Sequence, residues 1–219
     1  MTRWILLPIA LGLVVWFTQS LRRFLTDRKG LSRDRAVALD ACLALLDGAR
    51  VVMEPSGFPR LTGLRGGHPF EIRLIPDSLT FRKRPALWLQ VTAPQTMAGE
   101  ARIMARGSGL EPFSTFQSLP LSMALPAGFP ETCALRLSDA SALPGPALMA
   151  DLARDFADPA LKEVALGAKG LRQVRLQEEA DRVPYLIYRE QALGRKAVAP
   201  AILAAMMDRL IALSGELKD

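Results

Sequence analysis

Residues 70–92 read FEIRLIPDSLTFRKRPALWLQVT, and this stretch decides the fold. Phe70, Ile72 and Leu74 alternate with Glu71 and Arg73, the period of two expected of a strand with one covered face. Pro76-Asp77-Ser78 supplies turn chemistry. Leu79 and Phe81 then alternate with Thr80 and Arg82, Arg84-Pro85 makes a second break, and Leu87–Thr92 reads as a third strand. The stretch predicts an antiparallel meander.

Toward the C-terminus the same signals recur. Residues 101–106 (ARIMAR) alternate, 112–130 are rich in Phe, Ser and Pro, and Cys133–Leu137 reads as a strand. Pro144-Gly145-Pro146 introduces a helix over 147–156 that Asp158-Pro159 closes. Val164–Gly167, Leu171–Leu176 and Pro184–Arg189 read as short strands. Leu203, Met206, Leu210, Leu213 and Leu217 keep helical spacing behind Pro200, which suits a first turn.

Toward the N-terminus, residues 55–69 read as a turn segment and Arg50–Glu54 as a strand. Ala36, Leu39, Leu43 and Leu46 predict an amphipathic helix over 33–47, capped by Ser32 and ended by Gly48. The body, residues 33–219, is therefore expected to be α+β: a mainly antiparallel sheet with covering helices.

In front of that body, residues 4–21 contain no charged residue across 18 positions. As a helix they span about 27 Å, close to the ~30 Å hydrocarbon core of a bilayer. Trp4 and Trp16 lie near the ends, where aromatic rings favour the membrane interface. Residues 1–21 are read as a single-pass transmembrane anchor, and 22–32 as a basic juxtamembrane connector.

The charge supports that division. Of 28 basic and 22 acidic residues, residues 1–35 hold seven basic against two acidic, net +5; the remainder is nearly balanced at +1. The basic excess of the chain thus sits beside the apolar run instead of marking a nucleic-acid-binding face on the body. Arg22, Arg23, Arg28, Lys29, Arg33 and Arg35 follow the apolar run and only Arg3 precedes it. The positive-inside rule then puts the body in the cytoplasm. Arg22, Arg23, Arg28 and Lys29 are candidate contacts for anionic lipid.

Candidates for chemistry are few. Thr62–His68 is the one glycine-rich loop, and Arg65, Gly66, Gly67 and His68 form its candidate ligand-binding group, although no Walker or dinucleotide spacing is present. A single histidine argues against multi-histidine metal sites. Cys42 and Cys133 stand 91 positions apart in apolar surroundings and read as buried thiols. Glu178, Glu179 and Asp181 form an acidic cluster, and Arg82-Lys83-Arg84 a basic hairpin tip. No nucleophile motif is present, and neither a catalytic set, a cofactor nor a metal is assigned. The reading that follows is a membrane-tethered cytoplasmic interaction or scaffold domain whose partners are the bilayer, anionic lipid and a further protein. The alternative is a membrane-anchored enzyme acting on a lipid-linked or polyanionic substrate.

Overall fold

The computed structural model describes residues 2–78, 84–95, 98–107, 109–167, 169–180 and 193–217; in the N-terminal helix the side chains of 2–11, 14, 23–25, 27 and 28 lie outside the description. The expected strands at Leu79–Arg82 and Pro184–Arg189 fall outside the described residues.

Among the described residues, nine strands form one sheet in which every neighbouring pair is antiparallel. In chain order they are β1 (Asp47–Met53), β2 (Pro59–Arg65), β3 (His68–Asp77), β4 (Ala86–Ala93), β5 (Ala101–Ala105), β6 (Leu121–Met123), β7 (Cys133–Leu137), β8 (Leu161–Gly167) and β9 (Gly170–Glu179). Their spatial order is β1-β2-β3-β4-β9-β8-β5-β7-β6. The first four strands lie side by side in chain order, and the β8–β9 hairpin returns to fill the place between β4 and β5.

Among the described residues, three α-helices accompany the sheet: α1 (Thr2–Ala36), α2 (Pro146–Asp155) and α3 (Pro200–Glu216). The α+β, mainly antiparallel architecture expected from the alternation is the one observed. Register explains where the core sits. Leu61, Ile72, Val91, Gln173, Val164, Ile103 and Leu135 lie in one row across seven strands, facing the same way. All but Gln173 are apolar and at most 2% exposed. Leu148 and Leu152 of α2, with Leu203, Met207 and Leu210 of α3, complete that core. Pro146 and Pro200 open their helices at positions whose N–H would have had no intrahelical acceptor.

Two local expectations are corrected. The segment 55–69 is not all turn: Pro59–Arg65 is strand β2. Glu54 N–H donates to Phe58 O (3.0 Å), and hydrogen-bonded pairs alternate along the ladder, so Pro59 falls opposite Met53 at a position that needs no N–H toward β1. Gly63 fits because a Cβ there would come within 2.9 Å of Leu46 Cβ. The true turn is Gly66-Gly67, both at positive φ (56° and 78°), the two-residue connection whose twist suits a hairpin.

The second correction concerns 33–47. The connector is helical and α1 runs unbroken to Ala36, since a lone Gly30 costs only about 1 kcal/mol. The chain then tightens into a 3-10 turn over Asp40–Leu45. Three-residue closures, Ala38 N to Arg35 O (3.2 Å) and Cys42 N to Leu39 O (2.9 Å), turn Ala38, Leu39 and Cys42 together into the core. The leucine stripe was legible; the winding of its backbone was not.

The β8–β9 turn is held against the end of β4. Gly170 has φ +110°, and a Cβ there would lie 2.3 Å from Ala93 O. Gly170→Ala is therefore expected to destabilise the chain by about 1–3 kcal/mol or more, read as a lower thermal midpoint by circular dichroism.

Candidate functional site

The sheet face opposite the core carries charge where β5, β8 and β9 meet. Register places Arg102 and Arg172 in one row, on either side of Ala165, and Glu163 in the next, between Met104 and Val174. Glu163 is fully buried; its Oε1 lies 2.9 Å from Arg172 Nη2 and 3.8 Å from Arg102 Nη1. Arg102 also donates through Nε to Glu100 (2.6 Å).

The loop 106–119 packs over this face. Lys162 and Glu111, both nearly buried, pair at 2.9 Å, and Lys162 Nζ also donates to Ala105 O (2.6 Å). Phe113 sets its edge against Trp88 of β4 (5.6 Å between centroids), and the Arg136 guanidinium lies over the Phe116 ring (5.9 Å). Beneath the loop, Trp88 Nε1, Arg102 Nη1, Arg172 Nε and Glu163 Oε2 are buried with no hydrogen-bond partner. Burial pushes the Glu163 carboxyl up, while Arg172 and Arg102 pull it back down. Chemically the cluster is a buried carboxylate flanked by two arginines, beside a Lys162–Glu111 pair that ties β8 to the covering loop. Cys133, paired with Ala105 of β5, lies close enough to Lys162 for that charge to act on its thiol.

An open cleft of about 550 Å³ lies on the core side, between α2, α3 and the β8–β9 strands, with Arg154, Arg175, Arg209, Asp155 and Asp158 around Met206. Each of these arginines has a carboxylate: Arg175 has Asp158, Arg154 has Asp151, and Arg209 has Asp155 (2.8 Å) and Glu216 (2.9 Å). The cleft therefore offers paired charges over an apolar floor.

The residues singled out by sequence fall as follows. Arg65 and His68 are paired positions flanking the Gly66-Gly67 turn. Arg65 donates twice to Asp208 of α3, Nε to Oδ1 (2.8 Å) and Nη2 to Oδ2 (3.0 Å). That bond raises the guanidinium's affinity for its proton and lowers the Asp208 carboxyl. Nothing lies within 4 Å of a Cβ built on Gly66 or Gly67, so the glycines form a turn in the open and enclose no cradle. The loop fastens a hairpin to α3.

His68 lines a recess of about 120 Å³ with Phe70, Gln95, Leu210 and Ser214. The Ser214 hydroxyl already donates to Gln95 Oε1 (2.5 Å). Glu178 accepts from Gly194 N–H (2.8 Å), and Glu179 pairs with Arg84; Asp181, Arg82 and Lys83 lie outside the described residues. Both cysteines are free thiols, and burial raises the pKa of each. Among the described residues, no group of three or more His, Cys, Asp or Glu could hold a metal ion.

On α1, Trp16, Arg22 and Lys29 are exposed, whereas the side chains of Trp4, Arg23 and Arg28 lie outside the described residues. Among the described residues, no helix is long and apolar enough to cross a membrane; the uncharged run starts at Trp4, and the side chains of residues 4–11 lie outside the description. Sequence reasoning missed Arg102, Glu163 and Arg172, because Arg102 meets the other two, 61 and 70 positions further along the chain, through strand register alone. The one signal was a Lys-Glu pair, 162–163, heading an otherwise apolar strand.

Compared with known protein families, with curated proteins and with solved structures, the chain matches none.

The buried carboxyl gives a pH signature. With its affinity for a proton raised in the folded state, the stability linked to Glu163 is complete below the ordinary carboxyl range and is lost as pH rises through the raised value. The difference in thermal midpoint between wild type and Glu163→Gln is expected to move in favour of the glutamine variant between about pH 4 and pH 7. A difference that stays constant across that range, or moves in favour of wild type, contradicts the assignment.

Proposed function

We propose that the chain is a membrane-tethered interaction domain, anchored through residues 4–21, with its body held at the cytoplasmic surface. The observation that carries this reading is the state of α1. Leu13, Val15, Trp16, Phe17 and Leu21 are all 45% exposed or more. Consecutive helical residues are turned about 100° from one another, so Val15, Trp16 and Phe17 alone point around most of the circumference. The apolar surface is thus not one stripe awaiting the body. Removing such side chains from water is worth about 1.5–3 kcal/mol each, and a bilayer provides that environment on every side.

The helix passes without interruption from the uncharged segment through the basic one into the body. Residues 22–36 lengthen it by about 22 Å. Arg22, Lys29 and Arg33 share one helical face, at intervals of seven and four residues, and none of them has an ion-pair partner among the described residues. Six basic residues after the apolar run against one before it support the cytoplasmic orientation. The enzyme alternative calls for cations free to meet a polyanionic substrate, and those of the cleft are paired.

The tether is tested by carbonate extraction of membranes together with protease protection in intact cells. The full chain should stay with the membrane and its body should survive protease added from outside. Release by carbonate removes the anchor, and cleavage of the body from outside reverses the orientation.

Lipid contact is tested on a fragment beginning at residue 22. It should bind vesicles containing anionic lipid, more weakly as salt rises and the Debye length shortens. At about 1 kcal/mol per charge near the surface, replacing Arg22, Arg23, Arg28 and Lys29 together by Gln should weaken binding at low salt by about tenfold or more. Equal binding to neutral and anionic vesicles leaves these residues as topology signals alone.

A further inference from the structure

We infer that β1 is a self-association edge, pairing antiparallel with β1 of a second copy of this chain about a two-fold axis at Val52. β1 is the first strand of the sheet order, and β2 is its sole strand partner among the described residues. All seven of its residues are exposed, including Val51, Val52 and Met53 at 44%, 52% and 50%. Apolar side chains thus stand on both faces of an open edge, the arrangement that invites another strand.

The hydrogen-bond pattern fixes which backbone groups are available. Glu54 N–H donates to Phe58 O (3.0 Å), and hydrogen-bonded pairs alternate along an antiparallel ladder. Val52–Arg60 and Arg50–Thr62 are then the hydrogen-bonded pairs toward β2. The N–H and C=O groups of Val51 and Met53 point outward. Two such edges meet in register when Val51 of one copy faces Met53 of the other, and two pairs exchange four hydrogen bonds. Val52 then opposes Val52 of the second copy.

Charge selects this register. It sets Arg50 of each copy opposite Glu54 of the other. Arg50 has no ion-pair partner among the described residues. Glu54 is engaged by Arg73 through Oε1 alone, by Nε at 2.9 Å and Nη2 at 2.8 Å, which leaves Oε2 for a second cation. A shift of the axis to Arg50 would oppose two arginines, and a shift to Met53 would bring Pro55, which has no N–H, against Val51. The edge is thus complementary to itself in backbone, apolar contact and charge, which favours a second copy over an unrelated extended peptide.

The test uses the full chain, in whichever fraction of the cell it occupies, so its outcome is independent of the anchor. Size-exclusion chromatography with light scattering should give twice the chain mass. Val51→Pro deletes an N–H that points away from β2, so the β1–β2 ladder keeps its bonds; this variant should retain the wild-type far-ultraviolet spectrum and elute as a monomer. Under mild oxidation Val52→Cys should cross-link into a covalent dimer at least tenfold faster than Val51→Cys, because residues directly opposite at a non-hydrogen-bonded site stand closest, about 4.5 Å between Cα atoms. Arg50→Glu and Glu54→Arg should each shift the chain toward monomer, and mixing the two should restore dimers. A wild-type chain of monomer mass overturns the proposal, including one that takes up an added strand-forming peptide at β1. So does a Val51→Pro variant that remains dimeric, or cross-linking of Val51→Cys as fast as that of Val52→Cys.

Discussion

The pairing of β4 with β9 is the constraint on which the rest of the structure depends. Everything from β1 to β4 is built by neighbours in the chain, and everything from β5 to β8 forms a second antiparallel group. The two become one sheet only where Ala86–Ala93 lies against Leu171–Glu179. That ladder closes a loop of roughly 80 residues, an entropic cost that grows slowly with length but must be met before the contacts form. Once its register is set, the row from Leu61 to Leu135 is continuous, α3 has a floor that spans both halves, and the opposite face gathers its arginines and Glu163. A slip of one residue would exchange the two faces and bury the charges under the helices.

That dependence explains what could be read in the chain. The alternation in 70–74 and 87–92 is local, and so are the leucine spacing of α3 and the proline that opens it; these were legible. Segment 55–69 was not, because Pro59, Gly63, Gly66 and Gly67 look like loop when counted by composition. Two of the four are there for strand reasons, Pro59 at a site that needs no N–H toward β1 and Gly63 where Leu46 leaves no space for a side chain. The spatial order of the strands was equally hidden, since antiparallel signals do not say that β9 enters between β4 and β8. The charged cluster shares that fate: Arg102 in ARIMAR reads as the solvent side of a strand, yet in the fold it is buried against Glu100 and Glu163.

Arg65 shows the opposite case, a correctly noticed motif with a different use. Glycines beside an arginine suggest a phosphate loop because glycine lets backbone N–H groups approach an anion. Here the two glycines are spent on a tight turn with positive φ at both positions, and the arginine meets a carboxylate of its own chain. Composition alone cannot distinguish an arginine waiting for an anion from one already holding Asp208.

The junction between α1 and the body gives the proposed tether a mechanical consequence. Arg35 is the point of attachment: its guanidinium lies over the fully buried Phe58 ring (5.1 Å), and its Nε donates to Leu193 O (2.9 Å). Burial lowers the guanidinium's affinity for its proton, and the charge of Glu178 opposes that. Three residues later the backbone is stitched to the segment before α3, with Val198 N donating to Ala38 O (2.9 Å). Gly194 lies close enough that a Cβ would stand 2.6 Å from the Phe58 ring, and its φ of +89° suits glycine. A helix attached through so many groups within four residues does not swivel freely as a linker would. Its direction is set by the body, and in the proposed tether the bilayer-facing end would lie where the charges begin at Arg22. In a tether built this way, the stand-off between membrane and sheet is a property of the fold, about 22 Å of continuous helix. Basic residues spaced along that helix then leave the reach of the headgroups in turn: Lys29 is about 10 Å further out than Arg22, one Debye length at ordinary salt.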